Sequence, residues 1–293
     1  MATRTSGRFD TPRDETRTMM VHVDDERSLA YDEYGDSNGV PVVFLHGTPG
    51  SRRLGRLLDS AAAARGVRVL APDRPGYGQS PAWSDRSVRD AKAFVTPVLD
   101  DAGVETAGIV AFSGGAPYAL ATAATRPDRI GRVDIVSGAT PPDVSEETPA
   151  LQRLLAGLAT ATPPLLRGLF RGQAWLASRL DPSFVLAQYT DDADAIPDDA
   201  AETVRADFVE AFADSRRGAV AEFRHTGRDW GVRFEDIEAE VCFWHGEADT
   251  NVPIADVRRL EKRVPNAGLR ALDDADHLQA LLRSIPDVLD KHR

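Results

Sequence analysis

Short apolar runs of four to seven residues recur along the chain, at 40–45, 67–71, 106–112, 133–136 and 241–244, several of them rich in valine. A run this short, apolar without alternation, must be covered on both faces, as a strand inside a parallel sheet is. Between the runs lie segments with apolar residues at helical spacing. Segments 53–65 and 88–102 each end at a glycine, Gly66 and Gly103, and the alanine-rich 116–125 stops before Arg126-Pro127. Residues 20–23 and 28–34 read as two short strands joined by Asp24-Asp25-Glu26. This alternation predicts an α/β fold, a doubly wound, mostly parallel sheet with helices on both faces. It breaks after Gly138: helical segments at 148–160, 164–180, 199–213 and 216–226 follow one another with no clear strand until 241. The reading is a flexible arm over 1–19, a core of 20–141 and 229–293, and an all-helical cap over 142–228 on the sheet's carboxyl edge.

Length and charge narrow the function. A chain of 293 residues suits one large domain with an insertion. Its formal net charge is −11, and only Lys92, Lys262 and Lys291 are lysines among 35 basic residues. An acidic surface repels nucleic-acid phosphates and anionic lipid, so the expected partner is a small-molecule substrate, with neither nucleic acid nor membrane. Abundant Asp with scarce Lys fits either adaptation to concentrated salt or a codon bias towards Arg and Asp. No apolar run is long enough to span a bilayer, and the first twenty residues lack the apolar block of a secretory signal, so a cytoplasmic location is expected. The single cysteine, Cys242, sits in an apolar run and reads as a buried small hydrophobe.

Chemistry concentrates at the ends of the apolar runs. In Ala111-Phe112-Ser113-Gly114-Gly115 a strand passes directly into a helix, close to the nucleophile-elbow pattern G-x-S-x-G, with Ala111 at the first position. Small neighbours are needed because the serine sits on a tight, strained turn. The N–H of Gly114, at the start of the helix, then faces the place where an oxyanion forms. The second oxyanion donor is expected from the loop His46-Gly47-Thr48-Pro49-Gly50, and is assigned to the N–H of Thr48. Downstream, the run 241–244 leads to Asp249, and His277 opens the last helical segment. The chain order Ser113, Asp249, His277 matches the elbow's usual partners. A serine hydroxyl needs an imidazole to take its proton, and the imidazole needs a carboxylate on its other nitrogen.

With HGTPG at 46–50, DRPGYGQS at 73–80, AFSGG at 111–115, WHGEADTNVP at 244–253 and His277, the chain resembles the α/β-hydrolase superfamily, in its helically capped subgroup, over about residues 20 to 293. The resemblance implies an eight-stranded sheet whose first hairpin is antiparallel, a Ser113–Asp249–His277 triad and a cap after the sixth strand. Members cleave esters, amides, peptides, epoxides, and carbon–halogen or carbon–carbon bonds. A serine at the elbow argues against the dehalogenase and epoxide-hydrolase branches.

The remaining candidates carry plainer expectations. His46 and His245 read as structural, and His22, His225 and His292 as structural or solvated. Asp73 is expected to hold loop N–H groups, and Asp274 and Asp276 to point to solvent. Leu165, Leu166, Leu169, Phe170, Trp175, Phe184, Tyr189, Phe208, Phe212 and Phe223 should mostly form core. Glu146, Glu147, Glu202, Glu210 and Glu222 are expected on exposed helix faces unless one binds a substrate amine. No metal-ligand spacing occurs and no cofactor is implied. The sequence therefore reads as a serine esterase working through an acyl-enzyme. A proline-iminopeptidase-like aminopeptidase and a non-catalytic ligand-binding relative are the alternatives.

Overall fold

A computed structural model describes residues 18–84, 86–145 and 149–293. Eight strands, β1 (Met19–His22), β2 (Ser28–Gly35), β3 (Val40–Leu45), β4 (Val67–Pro72), β5 (Ala107–Phe112), β6 (Ile130–Val136), β7 (Glu240–Gly246) and β8 (Ala267–Leu272), form one sheet in the order β1-β2-β4-β3-β5-β6-β7-β8. β2 pairs antiparallel with both β1 and β4, and all other pairs are parallel. The chain moves outward from β3 to β4, then returns across β3 to β5. That reversal opens a crevice at the carboxyl ends of β3 and β5, where ligands bind in such sheets. Leu45 and Ala111, paired in register, bring the 46–50 loop and the 113 turn side by side.

Alternation along the strands divides the core. Val42 and Phe44 join Val110, Phe112 and Trp244 on one face, while Val43 and Leu45 join Ile109, Ala111 and Phe243 on the other. The first face is covered by α1 (Asp59–Ala63) and, late in the chain, α10 (His277–Asp290); the second by α2 (Lys92–Asp101), α3 (Ala116–Thr125) and α9 (Ile254–Glu261). Segment 53–65 is not one helix: a 3₁₀ stretch, Arg52–Leu58, precedes α1. Gly66 and Gly103 adopt φ +65° and +67° directly after their helices, a conformation costly for any side chain.

Between β6 and β7 the described elements are helical: α4 (Ala150–Ala161), α5 (Pro163–Ala177), α6 (Ser183–Leu186), α7 (Asp198–Ala211) and α8 (Arg217–Thr226), with short 3₁₀ turns. Leu166, Phe170, Phe208 and Phe212 merge into the first-face core. Leu165, Leu169 and Trp175, expected inside, are more than half exposed, because α5 turns them away from the sheet. No described helix is long and apolar enough to cross a membrane. Most of the arm expected at 1–19 falls outside the described residues; Met19 already belongs to β1.

Polar contacts hold these helices to the sheet. Asp207 on α7 accepts from Ser51 N at 2.7 Å and Ser51 Oγ at 2.8 Å. Arg52, almost fully buried, donates to Asp32, Asp73 and Glu210. Glu210 is therefore bound into a network rather than solvated, while Glu202 is exposed as expected and pairs with Arg205. Glu146 and Glu147 lie outside the described residues.

Asp207 gives stability a pH dependence. Burial pushes its carboxyl up to about 7 against the bonds from Ser51, and nearby Asp73 adds to the rise. A raised folded-state value makes its contribution full below the ordinary value of 3.8 and lost as pH climbs through about 7. Asp207→Asn, which keeps the acceptor for Ser51 and never ionises, should flatten this decline. Relative to its own wild-type comparison at pH 5, it should gain about 2–3 kcal/mol at pH 8 in urea unfolding. Parallel pH profiles for the two proteins would refute the assignment.

Candidate active site

The turn after β5 is the strained element of the site. Ser113 has φ +50°, the left-handed region that a non-glycine residue occupies only when its surroundings impose it. The surroundings are tight. A Cβ on Gly115 would stand 2.4 Å from Leu45 O, and one on Gly114 2.1 Å from Thr48 Oγ1 and 3.1 Å from Thr48 N. Gly114 and the Thr48 amide are thus neighbours, each on a chain segment that only a hydrogen at position 114 allows to approach. Ala111, despite its methyl group, is fully buried in β5 without disturbing the pairing with Leu45.

His277 Nδ1 lies 2.8 Å from Asp249 Oδ2, both buried. The other carboxylate oxygen accepts from the N–H groups of Asn251 and Val252, each at 2.9 Å, which fixes the plane of the acid. Burial alone would raise the Asp249 carboxyl; the charge and hydrogen bond of His277 outweigh it and hold the group below its usual value. The imidazole centroid is 5.0 Å from the Phe112 ring, beside Ser113, and 6.4 Å from a nearly parallel Tyr189 ring. The loop after β6 binds both halves: Ala139 N donates to Ser113 O at 3.0 Å, and Ser137 Oγ to His277 O at 3.1 Å. The Ser113 side chain is partly exposed and makes no hydrogen bond among the described residues. Asp249 and His277 are therefore joined directly, while Ser113 is linked to the same neighbourhood through Phe112 and the 137–139 loop.

Four other histidines are held by local contacts, and His22 is exposed. His46 Nδ1 meets Gly47 O at 2.8 Å, and its Nε2 accepts from Arg74 N. His245 Nε2 meets Val252 O at 2.8 Å and lies 3.4 Å from Asp249 Oδ2, and burial lowers its affinity for a proton. His225 Nδ1 lies 3.0 Å from Tyr118 Oη, and the buried His292 lies against Asp134. Asp73 accepts from Arg52 N and Gln79 N and fixes its loop. Cys242 is buried, which pushes its thiol up to about 11 and leaves it unreactive.

Two expectations are corrected. Asp274 is exposed, but Asp276 is buried: Oδ1 caps α10 by accepting from Gln279 N, and Oδ2 accepts from Thr190 Oγ1 and Asp191 N. A helix beginning at His277 needs an N-cap, and Asp276 is the residue placed to supply it. Glu222 is almost fully buried rather than on an exposed face. It accepts from Arg74 (2.7 and 2.9 Å), Arg86 (2.9 Å), Tyr77 Oη (2.9 Å) and Thr48 Oγ1 (2.6 Å). Against the cost of burial, Arg74 and Arg86 keep its carboxyl far below the usual range. The cluster clamps the side chain of Thr48, the residue whose amide faces Gly114. Sequence reading misses this role, although one acid among Ala219, Val220 and Phe223 on an otherwise apolar helix side is a signal of it.

Among the described residues no group of three or more His, Cys, Asp or Glu is placed to hold a metal. The antiparallel entry strands, the crossing at β3 and β5, and a strained serine followed by an acid and a histidine define an α/β hydrolase. A family model for the alpha/beta hydrolase fold matches residues 40–283, and the chain belongs to that family. Among curated relatives, a 2-hydroxy-6-oxononadienedioate/2-hydroxy-6-oxononatrienedioate hydrolase of Cupriavidus pinatubonensis is 27% identical, covering 97% of this chain and 95% of its own. A 2-hydroxymuconate semialdehyde hydrolase of Pseudomonas putida is 24% identical over 83% of each. Of solved structures, a bromoperoxidase of Bacillus anthracis superposes with TM-score 0.73 at 18% identity, covering 94% of this chain and 99% of that one.

Proposed function

We propose that the protein is a serine hydrolase that cleaves a small carboxylic ester, or a related acyl bond, through an acyl-enzyme intermediate. The 2.8 Å bond between His277 Nδ1 and Asp249 Oδ2, beside a serine held at φ +50°, carries this reading. Ser113 Oγ attacks the carbonyl carbon while His277 Nε2 takes its proton. Asp249 fixes the tautomer and stabilises the imidazolium. The N–H groups of Thr48 and Gly114 receive the oxyanion, and loss of one such donor costs about 10²–10³ in turnover. His277 then protonates the leaving group, and water, deprotonated by the same imidazole, releases the acid. Residues 142–228 act as a cap over the crevice, with Tyr189 stacked on His277 as part of its underside. No cofactor takes part, and the setting is cytoplasmic.

A second reading is carbon–carbon hydrolysis of an oxo-dienoate, because that is what the names of the relatives describe. It uses the same serine, histidine and acid. Glu222 and Glu210 are already neutralised by arginines, so neither offers a free charge to the substrate amine that the aminopeptidase reading requires. A panel of 4-nitrophenyl acetate, a prolyl anilide and a 2-hydroxy-6-oxo-dienoate, run on the full chain, separates the three. Highest kcat/KM on the acetate is expected. Preference for the dienoate would replace the ester assignment, and no turnover with no fluorophosphonate labelling of Ser113 would mark a binding protein.

A further inference from the structure

We propose that a second cavity, between the loop that precedes α2 and helices α5 and α8, binds a phosphate-bearing small molecule. Its volume is about 270 Å³, and Trp83, Arg86, Arg167, Arg217, Gly218 and Arg224 are among its lining residues. Four guanidinium groups meet there, and no Asp or Glu is among the described lining residues (Asp85 lies outside the described residues). In a chain of net charge −11 such a concentration is the reverse of the average surface.

Two donors on lining residues of this cavity have no acceptor. The side chain of Arg86 is only 3% exposed. Its Nη2 donates to Glu222, but its Nη1 has no hydrogen-bond partner among the described residues. The buried Nε1 of Trp83 has none either. Buried N–H groups are almost always satisfied, so two orphaned donors beside one cavity indicate a missing acceptor. Arg167 and Arg217 form no ion pair among the described residues, and Arg224 donates to the neutral carbonyl of Ala159. Arg86 is offset by Glu222, whereas Arg167 and Arg217 bring charge to the cavity that no described acid offsets. Helix α8, ten residues long, starts at Arg217 and adds the positive end of its dipole on the same side.

The arrangement selects the anion. Arginines line the cavity from the loop, α5 and two turns of α8, and donors arriving from several directions suit a tetrahedral, multiply charged oxyanion better than a planar monocarboxylate. The indole of Trp83 and the rings of Pro75 and Pro163 leave an apolar side for an organic remainder. The cavity lies along 217, 218, 220, 221 and 224 of α8, and Arg86 joins it to the Glu222 cluster that holds Thr48. It does not depend on the catalytic reading above.

Inorganic pyrophosphate is the probe, titrated into the full chain at an ionic strength held constant with KCl and followed by tryptophan fluorescence and melting temperature. Saturable binding with a rise in Tm is expected, weaker with inorganic phosphate and absent with acetate. Arg167→Ala and Arg217→Gln should each weaken pyrophosphate binding about tenfold or more. Without ligand both variants should melt no lower than the wild type, since each removes a like charge, so loss of binding is not loss of fold. Trp83→Phe, which deletes one of the two orphaned donors, should reduce both the fluorescence response and the Tm shift. A pyrophosphate effect no larger than that of KCl, equal binding of acetate, or undiminished binding by both arginine variants would overturn the proposal.

Discussion

Ser113→Ala is expected to lower kcat on an activated ester by about 10⁶-fold, the loss that follows removal of the nucleophile alone from a Ser-His-Asp unit. The Asp249–His277 bond does not involve Ser113, so the variant should fold with its imidazole in place. Ser113→Gly supplies a second readout. It should be equally inactive, yet melt higher than Ser113→Ala by the equivalent of about 1 kcal/mol, because glycine occupies φ +50° without the steric cost. Activity of Ser113→Ala within tenfold of wild type would end the nucleophile assignment. Equal stability of the two variants would show that the turn stores no strain.

Glu222→Ala should cost about 3–5 kcal/mol in urea unfolding, the range for breaking a buried ion pair by removing one partner. Arg74 and Arg86 would be left as two buried, like-charged groups, with Tyr77 and Thr48 each deprived of an acceptor. Glu222→Gln should fall between, since an amide oxygen still accepts but no longer offsets two positive charges. The freed Thr48 side chain predicts a catalytic loss alongside the loss of stability: kcat should drop with KM little changed, because the oxyanion is met only in the transition state. A stability loss below about 1 kcal/mol would mean that α8 relaxes and lets water reach the guanidinium groups.

Ser113 and Glu222 differ in how plainly the order of amino acids reveals their roles. The Ser113 turn is a local event. Its strand, its serine and its two glycines are contiguous, and the steric need for small residues is met within five positions. Asp249 is legible because it follows the apolar run 241–244 and so stands near a strand's carboxyl end, and His277 because it opens the last helical segment. The Glu222 cluster joins residues 148 and 136 positions apart, and nothing in the immediate neighbourhood of Arg74 or Arg86 names the partner. Asp276 defies the expectation of a solvated side chain because its role is set by the helix it starts and by Thr190 beside it, not by adjacency to His277. Leu165, Leu169 and Trp175 defy theirs because helical spacing fixes which residues share a side, while the packing of α5 decides which side is covered.

By itself the sequence determined the alternation of strands and helices, the uninterrupted helical run between β6 and β7, and the three residue types carried on strand ends. These follow from backbone periodicity and from side-chain size at a tight turn, both interactions of short range. Only the tertiary structure decided that Asp249 and His277 share a hydrogen bond beside Ser113, that Glu222 and Asp207 fasten the helical segment to the loops around the crevice, and that four arginines surround one cavity. Those facts depend on which charges are withdrawn from water together, and desolvation is a property of the packed molecule, not of any stretch of chain.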